Sequence, residues 1–76
     1  MKTRLQLRLR ECLALHERRT GHRLTYRDLA KKAGLGYDTV KAIGSRPGYN
    51  ASLRAIEKLC DALGVEPFEL IGVKRR

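Results

Sequence analysis

Leu24–Ile43, LTYRDLAKKAGLGYDTVKAI, has the spacing of two short helices joined by one sharp turn. Leu29, Ala30 and Ala33 fall at i, i+1 and i+4, the inner stripe of a first helix. Val40 and Ile43, at i and i+3, give the inner stripe of a second. Gly34 lies between them and can take positive φ, so the first helix stops there and the chain leaves at a steep angle. Ala30 is small enough to let two helices cross closely at this point.

Working outward, Thr25 is a good N-cap. Asp28 three positions later completes a near capping box, so the first of the two helices is expected to start at Tyr26. After Gly34, Leu35 is expected to turn inward and Gly36 to occupy the cap of the second helix, Tyr37 to about Gly44. Asp38 sits favourably in its first turn. Upstream, Leu9, Cys12, Leu13 and His16 at i, i+3, i+4 and i+7 make a helical face running to about Arg19, with Thr20 and Gly21 ending it. Downstream, SRPGYNA (45–51) is a loop by composition. Asn50 or Ser52 then caps a helix whose stripe is Leu53, Ile56, Leu59, Cys60 and Leu63, and which Gly64 ends. Pro67 suits the first turn of a last short helix, Glu66 to about Leu70, with Phe68 and Leu70 or Ile71 facing the core. At the start of the chain, TRLQLRLR (3–10) alternates strictly, which is the period of a half-buried strand. Its candidate partner is ELIGVKR (69–75). The expectation is a two-stranded ribbon joining the two segments, against the competing one that both are frayed.

Seventy-six residues fit one domain, 1–76, with a small core. With 42% hydrophobic residues, no Trp and one Phe, that core must be built from Leu, Ile, Val and Ala, which leaves little room for an internal catalytic cavity. The formal charge of +9 is unevenly placed. Residues 1–46 hold 12 Lys and Arg against 4 Asp and Glu, residues 47–73 hold 2 against 4, and Lys74, Arg75 and Arg76 follow. A positive field on one side favours a polyanionic partner, with nucleic acid ahead of a membrane. Cys12 and Cys60 have neither the spacing nor the neighbours of a metal set and read as reduced core thiols in a cytoplasmic protein. No apolar run approaches the length of a membrane span or signal peptide. With no nucleophile beside a base, no metal set and no phosphate-cradling glycine loop, the chain reads as a non-enzyme without metal or other cofactor.

Leu24, Thr25, Leu29, Ala30, Ala33, Gly34, Leu35, Thr39, Val40 and Ile43 carry a further signal together with Ser52-Leu53, LCDALGV (59–65), Pro67 and Leu70. Over these positions the chain resembles the XRE-type helix-turn-helix domains, the family of small phage repressors and Cro-like proteins. The resemblance implies a mainly α fold, a five-helix lambda-repressor-like domain with its helix-turn-helix over 25–44, to which the terminal ribbon would be an addition. Three departures stand out. Gly36 occupies a cap where the family commonly has Ser, Gly44 a site where it has Glu, and SRPGYNA replaces a short Arg/Gly-Asn-Pro loop.

The resemblance also implies a mechanism in which the second helix of the pair enters the major groove of double-stranded DNA with its N-terminal residues at the base edges, while the first crosses the backbone. The base-reading candidates are then Gly36, Tyr37, Asp38, Lys41 and Ala42. Lys41 suits guanine O6 and N7, Asp38 suits cytosine N4 or else a structural cap, and Tyr37 offers a hydroxyl and a face for a thymine methyl. Phosphate candidates are Tyr26 and Arg27 on one strand, Ser45, Arg46, Tyr49 and Asn50 on the other side of the groove, and Thr39 beside them. Lys31 and Lys32 read as solvated residues that add to the field. One such domain reads few base pairs, so a weak homodimer, or a dimer formed only on DNA, is expected. The leading expectation is a sequence-specific transcriptional regulator, most simply a repressor. The alternative is a protein-interaction module such as an antitoxin.

Overall fold

The computed structural model describes residues 2–74, and among these the elements run β1 (Arg4–Leu7), α1 (Leu9–Thr20), α2 (Tyr26–Ala33), α3 (Tyr37–Ser45), α4 (Leu53–Leu63), α5 (Pro67–Leu70) and β2 (Ile71–Lys74). The caps explain most of these boundaries. Thr25 and Asp28 form the full reciprocal box at the start of α2, and Ser52, not Asn50, caps α4 by accepting from the Ala55 amide at 3.1 Å. Gly34 ends α2 in the left-handed region at φ 71°, a conformation that costs a β-carbon-bearing residue roughly 1–2 kcal/mol. The turn it makes lets α3 pack across α2, and α4 closes the other side of α2.

Each helix sends at least one side chain into a common core. Leu9, Leu29, Val40, Ile43, Leu59 and Leu70 are almost wholly sequestered, and Ala30, Cys12, Cys60, Ala62, Leu63 and Val65 fill the space between them. At about 1.5–3 kcal/mol for each large aliphatic side chain, these six residues decide the angle at which the helices meet. Leu35 packs against the same cluster from the turn, as its place after Gly34 suggests.

The strands β1 and β2 pair antiparallel, with Arg4 opposite Lys74, Leu5 opposite Val73, Gln6 opposite Gly72 and Leu7 opposite Ile71. Two backbone bonds tie this ribbon down: the Leu7 amide donates to the Pro47 carbonyl at 2.8 Å, and the Arg8 amide to the Leu70 carbonyl at 2.7 Å. A two-stranded ribbon is marginal by itself, so these attachments to the loop after α3 and to α5 are what hold it.

β1 is shorter than the alternation over 3–10 predicts, and β2 starts two residues later than the expected partner segment. Arg8 turns the chain at φ −113°, ψ 44°, and Leu9, which both the alternation and the helical face include, is the first residue of α1 and lies in the core, as the helical face predicts. At the other end Glu69 belongs to α5, because its carboxylate accepts from the Glu66 amide at 2.9 Å; Glu66 is the cap rather than the first residue of that helix. Arg75 and Arg76 lie outside the described residues. Leu5 is 62% exposed, so the strand's leucines are not uniformly inward.

Two more inward assignments are corrected. Phe68 is 75% exposed, since the four-residue α5 has one core seat and Leu70 occupies it. Leu53 is 77% exposed, because the buried face of α4 is centred on Ala55, Leu59, Ala62 and Leu63, which leaves the first residue of the helix off its edge.

Candidate nucleic-acid interface

The Thr25 side chain accepts from the Asp28 amide at 3.1 Å, and Asp28 accepts from the Thr25 amide at 3.2 Å. This fixes Tyr26 and Arg27 as the first two residues of α2. Tyr26 is half-buried, with its ring laid over Gly44 of α3: a β-carbon built on Gly44 would stand 2.5 Å from Tyr26 Cζ. Arg27 is exposed, and its Cζ lies 4.6 Å from the centroid of the Tyr37 ring, within cation–π range. Two aromatic contacts thus join the start of α2 to α3, one near each end of α3.

On α3, Gly36 is an exposed cap in extended conformation, φ −69°, ψ 146°, with no side-chain bond to the helix. Tyr37, Asp38 and Lys41 are exposed, whereas Thr39 and Ala42 are half-buried. The Asp38 carboxylate accepts no hydrogen bond from the described residues, so of its two expected roles the cap is not taken up. The helix runs one residue past the expected Gly44, and the Ser45 hydroxyl donates to the Lys41 carbonyl at 2.7 Å. Its proton is therefore already committed. Arg46 caps the helix from an exposed position, donating its amide to the Ala42 carbonyl at 2.9 Å. Asn50 is exposed, but Tyr49 packs against the core and is half-buried.

Among the described residues the one ion pair is Arg19 with Glu69 at 3.8 Å, on the far end of α1. Arg27, Lys31, Lys32, Lys41 and Arg46 keep uncompensated charges around α2 and α3. Arg10 and Arg23 line a recess together with Glu17, Thr25 and Tyr26. Neither the placement of Arg10 there nor the Arg27–Tyr37 stack has a sequence signal, because each depends on how helices cross rather than on spacing within one.

Cys12 and Cys60 are buried and free. Burial, with Glu69 adding to it, pushes the Cys12 thiol up to about 11, and burial raises Cys60 as well. Both thiols are protonated at neutral pH, which disfavours a nucleophilic role. No group of three or more His, Cys, Asp or Glu among the described residues is arranged to hold a metal, and no described helix is long and apolar enough to cross a membrane.

The profile of the Cro/C1-type helix-turn-helix DNA-binding domain matches residues 14–75. The chain belongs to that family. Membership implies DNA binding, and the family is a non-catalytic one. No curated protein shows significant sequence similarity to the chain. In this Cro/C1-type domain the matched span includes all of α2 to α5 and leaves β1 ahead of it.

Proposed function

We propose that residues 1–76 act as one unit that binds double-stranded DNA sequence-specifically and regulates transcription in the cytoplasm, most simply as a repressor covering a promoter. In this reading α3 lies in the major groove. The observation that carries it is the free outer face of α3, where Asp38 and Lys41 are exposed and unpaired beside the unneutralised Arg27 and Arg46. Lys41 donates to guanine, Asp38 accepts from cytosine, and Gly36, Tyr37 and Ala42 shape the edge of the contact. Arg27, Arg46 and Asn50 hold phosphates through side chains, with Thr39 beside them. Tyr26 and Tyr49, half-packed, contribute hydroxyl or backbone donors, and Ser45 joins them only by giving up its bond to Lys41.

So few reading side chains specify a short half-site. Two copies, about 34 Å apart on one face of the duplex, supply the rest.

Selection of bound sequences from a random duplex library tests this reading. The expected outcome is a paired motif and an affinity that falls steeply with salt, by about 0.9 in log–log slope for each phosphate neutralised. Lys41→Ala should relax preference at one position, while Arg46→Ala should weaken all sites alike. Enrichment of no motif, or binding indifferent to both changes, would remove α3 from the groove.

A further inference from the structure

The Arg27–Tyr37 stack links α2 to α3 at the surface, outside the packing that holds the fold. Neither residue belongs to the buried core, and the capping box at the start of α2 is complete without them. We infer that the two act as a single device in DNA binding: the Tyr37 ring is a platform that holds the Arg27 guanidinium in place for a backbone phosphate. This rests on the DNA-binding reading above and assigns Tyr37 a positioning role toward a charge contact.

The geometry favours an anion as the missing partner. Arg27 Cζ lies 4.6 Å from the ring centroid, a contact that uses none of the guanidinium's five N–H donors, whose planar fork suits two phosphate oxygens. Among the described residues no carboxylate takes that fork. The neighbouring Asp28 spends its carboxylate on the Thr25 amide, and the one described ion pair is elsewhere.

Position adds a second reason. Arg27 is in the first turn of α2 and rests on the first residue of α3. A cation there faces the positive ends of two helices, an unfavourable place for it and a favourable one for an anion. A phosphate at the fork relieves that conflict. The ring meanwhile limits the rotamers of a long side chain, which lowers the ordering cost when the phosphate arrives.

The test compares salt slopes on the selected duplex for the unmodified chain and for Arg27→Ala, Tyr37→Phe, Tyr37→Leu and the Arg27→Ala/Tyr37→Leu double variant. Folding of each is checked by circular dichroism. Arg27→Ala is expected to weaken binding about tenfold, the loss of one charge-assisted contact, and to lower the slope by about 0.9. Tyr37→Leu removes no charge yet should lower the slope by the same amount. Tyr37→Phe should restore it, and the double variant should lose no more than either single one.

An unchanged slope in Tyr37→Leu, with altered base preference, would make Tyr37 a direct reader and overturn the inference. An unchanged slope in Arg27→Ala would do the same. Where Tyr37→Leu does not fold, Tyr37→Gln takes its place with the same expected slope. A parent chain that binds no duplex ends this inference and the DNA-binding reading together. Steep salt dependence in the parent with uncoupled variants ends this one alone.

Discussion

Gly44 is the second-last residue of α3, where alanine would ordinarily be better by about 1 kcal/mol. Here a β-carbon would lie 2.5 Å from Tyr26 Cζ, so the ring would have to leave its seat, and overpacking of this kind costs about 1–3 kcal/mol. The steric term is the larger. Gly44→Ala should therefore gain nothing in stability, whereas the same change in a Tyr26→Ala background should stabilise by about 1 kcal/mol as the helix propensity is released. Urea denaturation of the four proteins measures the coupling, and additive effects would show that the ring does not depend on Gly44. The departure from glutamate at this position thus has a physical reason: the residue is small because the first side chain of α2 lies over it.

At the scale of elements, α2 and α3 start differently. The reciprocal box at Thr25 and Asp28 satisfies two amides of α2, while Gly36 offers α3 no side-chain oxygen. Thr25→Ala should cost about 1 kcal/mol. Gly36→Ser should instead add a few tenths, because a β-carbon there meets nothing closer than Thr39 Oγ1 at 3.8 Å. Shifts in urea midpoint read both, and equal effects at the two caps would contradict the contrast. Such caps, with Gly34 and the spacing of Leu29, Val40 and Ile43, made the helix pair legible in the sequence, since each acts within a few residues of its own position. The limits of β1 were not. The alternation of Leu5, Leu7 and Leu9 overlaps the helical face that begins at Leu9, and the backbone resolves the overlap in favour of the helix by turning at Arg8. Leu53 and Phe68 were misplaced because a stripe on a helical wheel does not say where a neighbouring helix ends. Of the interface, the exposed Asp38 and Lys41 followed from spacing. The packing of Tyr26 on Gly44 and of Arg27 on Tyr37 did not, since both depend on the crossing of α2 and α3.

In the whole molecule, contacts that build the helix pair join residues close in sequence, whereas β1 and β2 join Arg4 to Lys74. Closing so long a loop carries an entropic cost that grows with its length, though slowly, and this ribbon has few buried residues to offset it: Leu5 and Val73 are exposed and Leu7 is only partly covered. The ribbon should therefore open more easily than the core. Native-state hydrogen exchange is expected to show the β1 and β2 amides exchanging through smaller openings than those of Leu29, Val40 and Leu59; equal protection would mean that strands and core open as one unit. The bond from Leu7 to the Pro47 carbonyl gives this order of opening a consequence. It attaches the ribbon to the loop that follows α3, so each release of β1 also removes one backbone tether from the loop carrying Arg46 to Asn50, which the Arg46–Ala42 bond and the packing of Tyr49 on the core still hold.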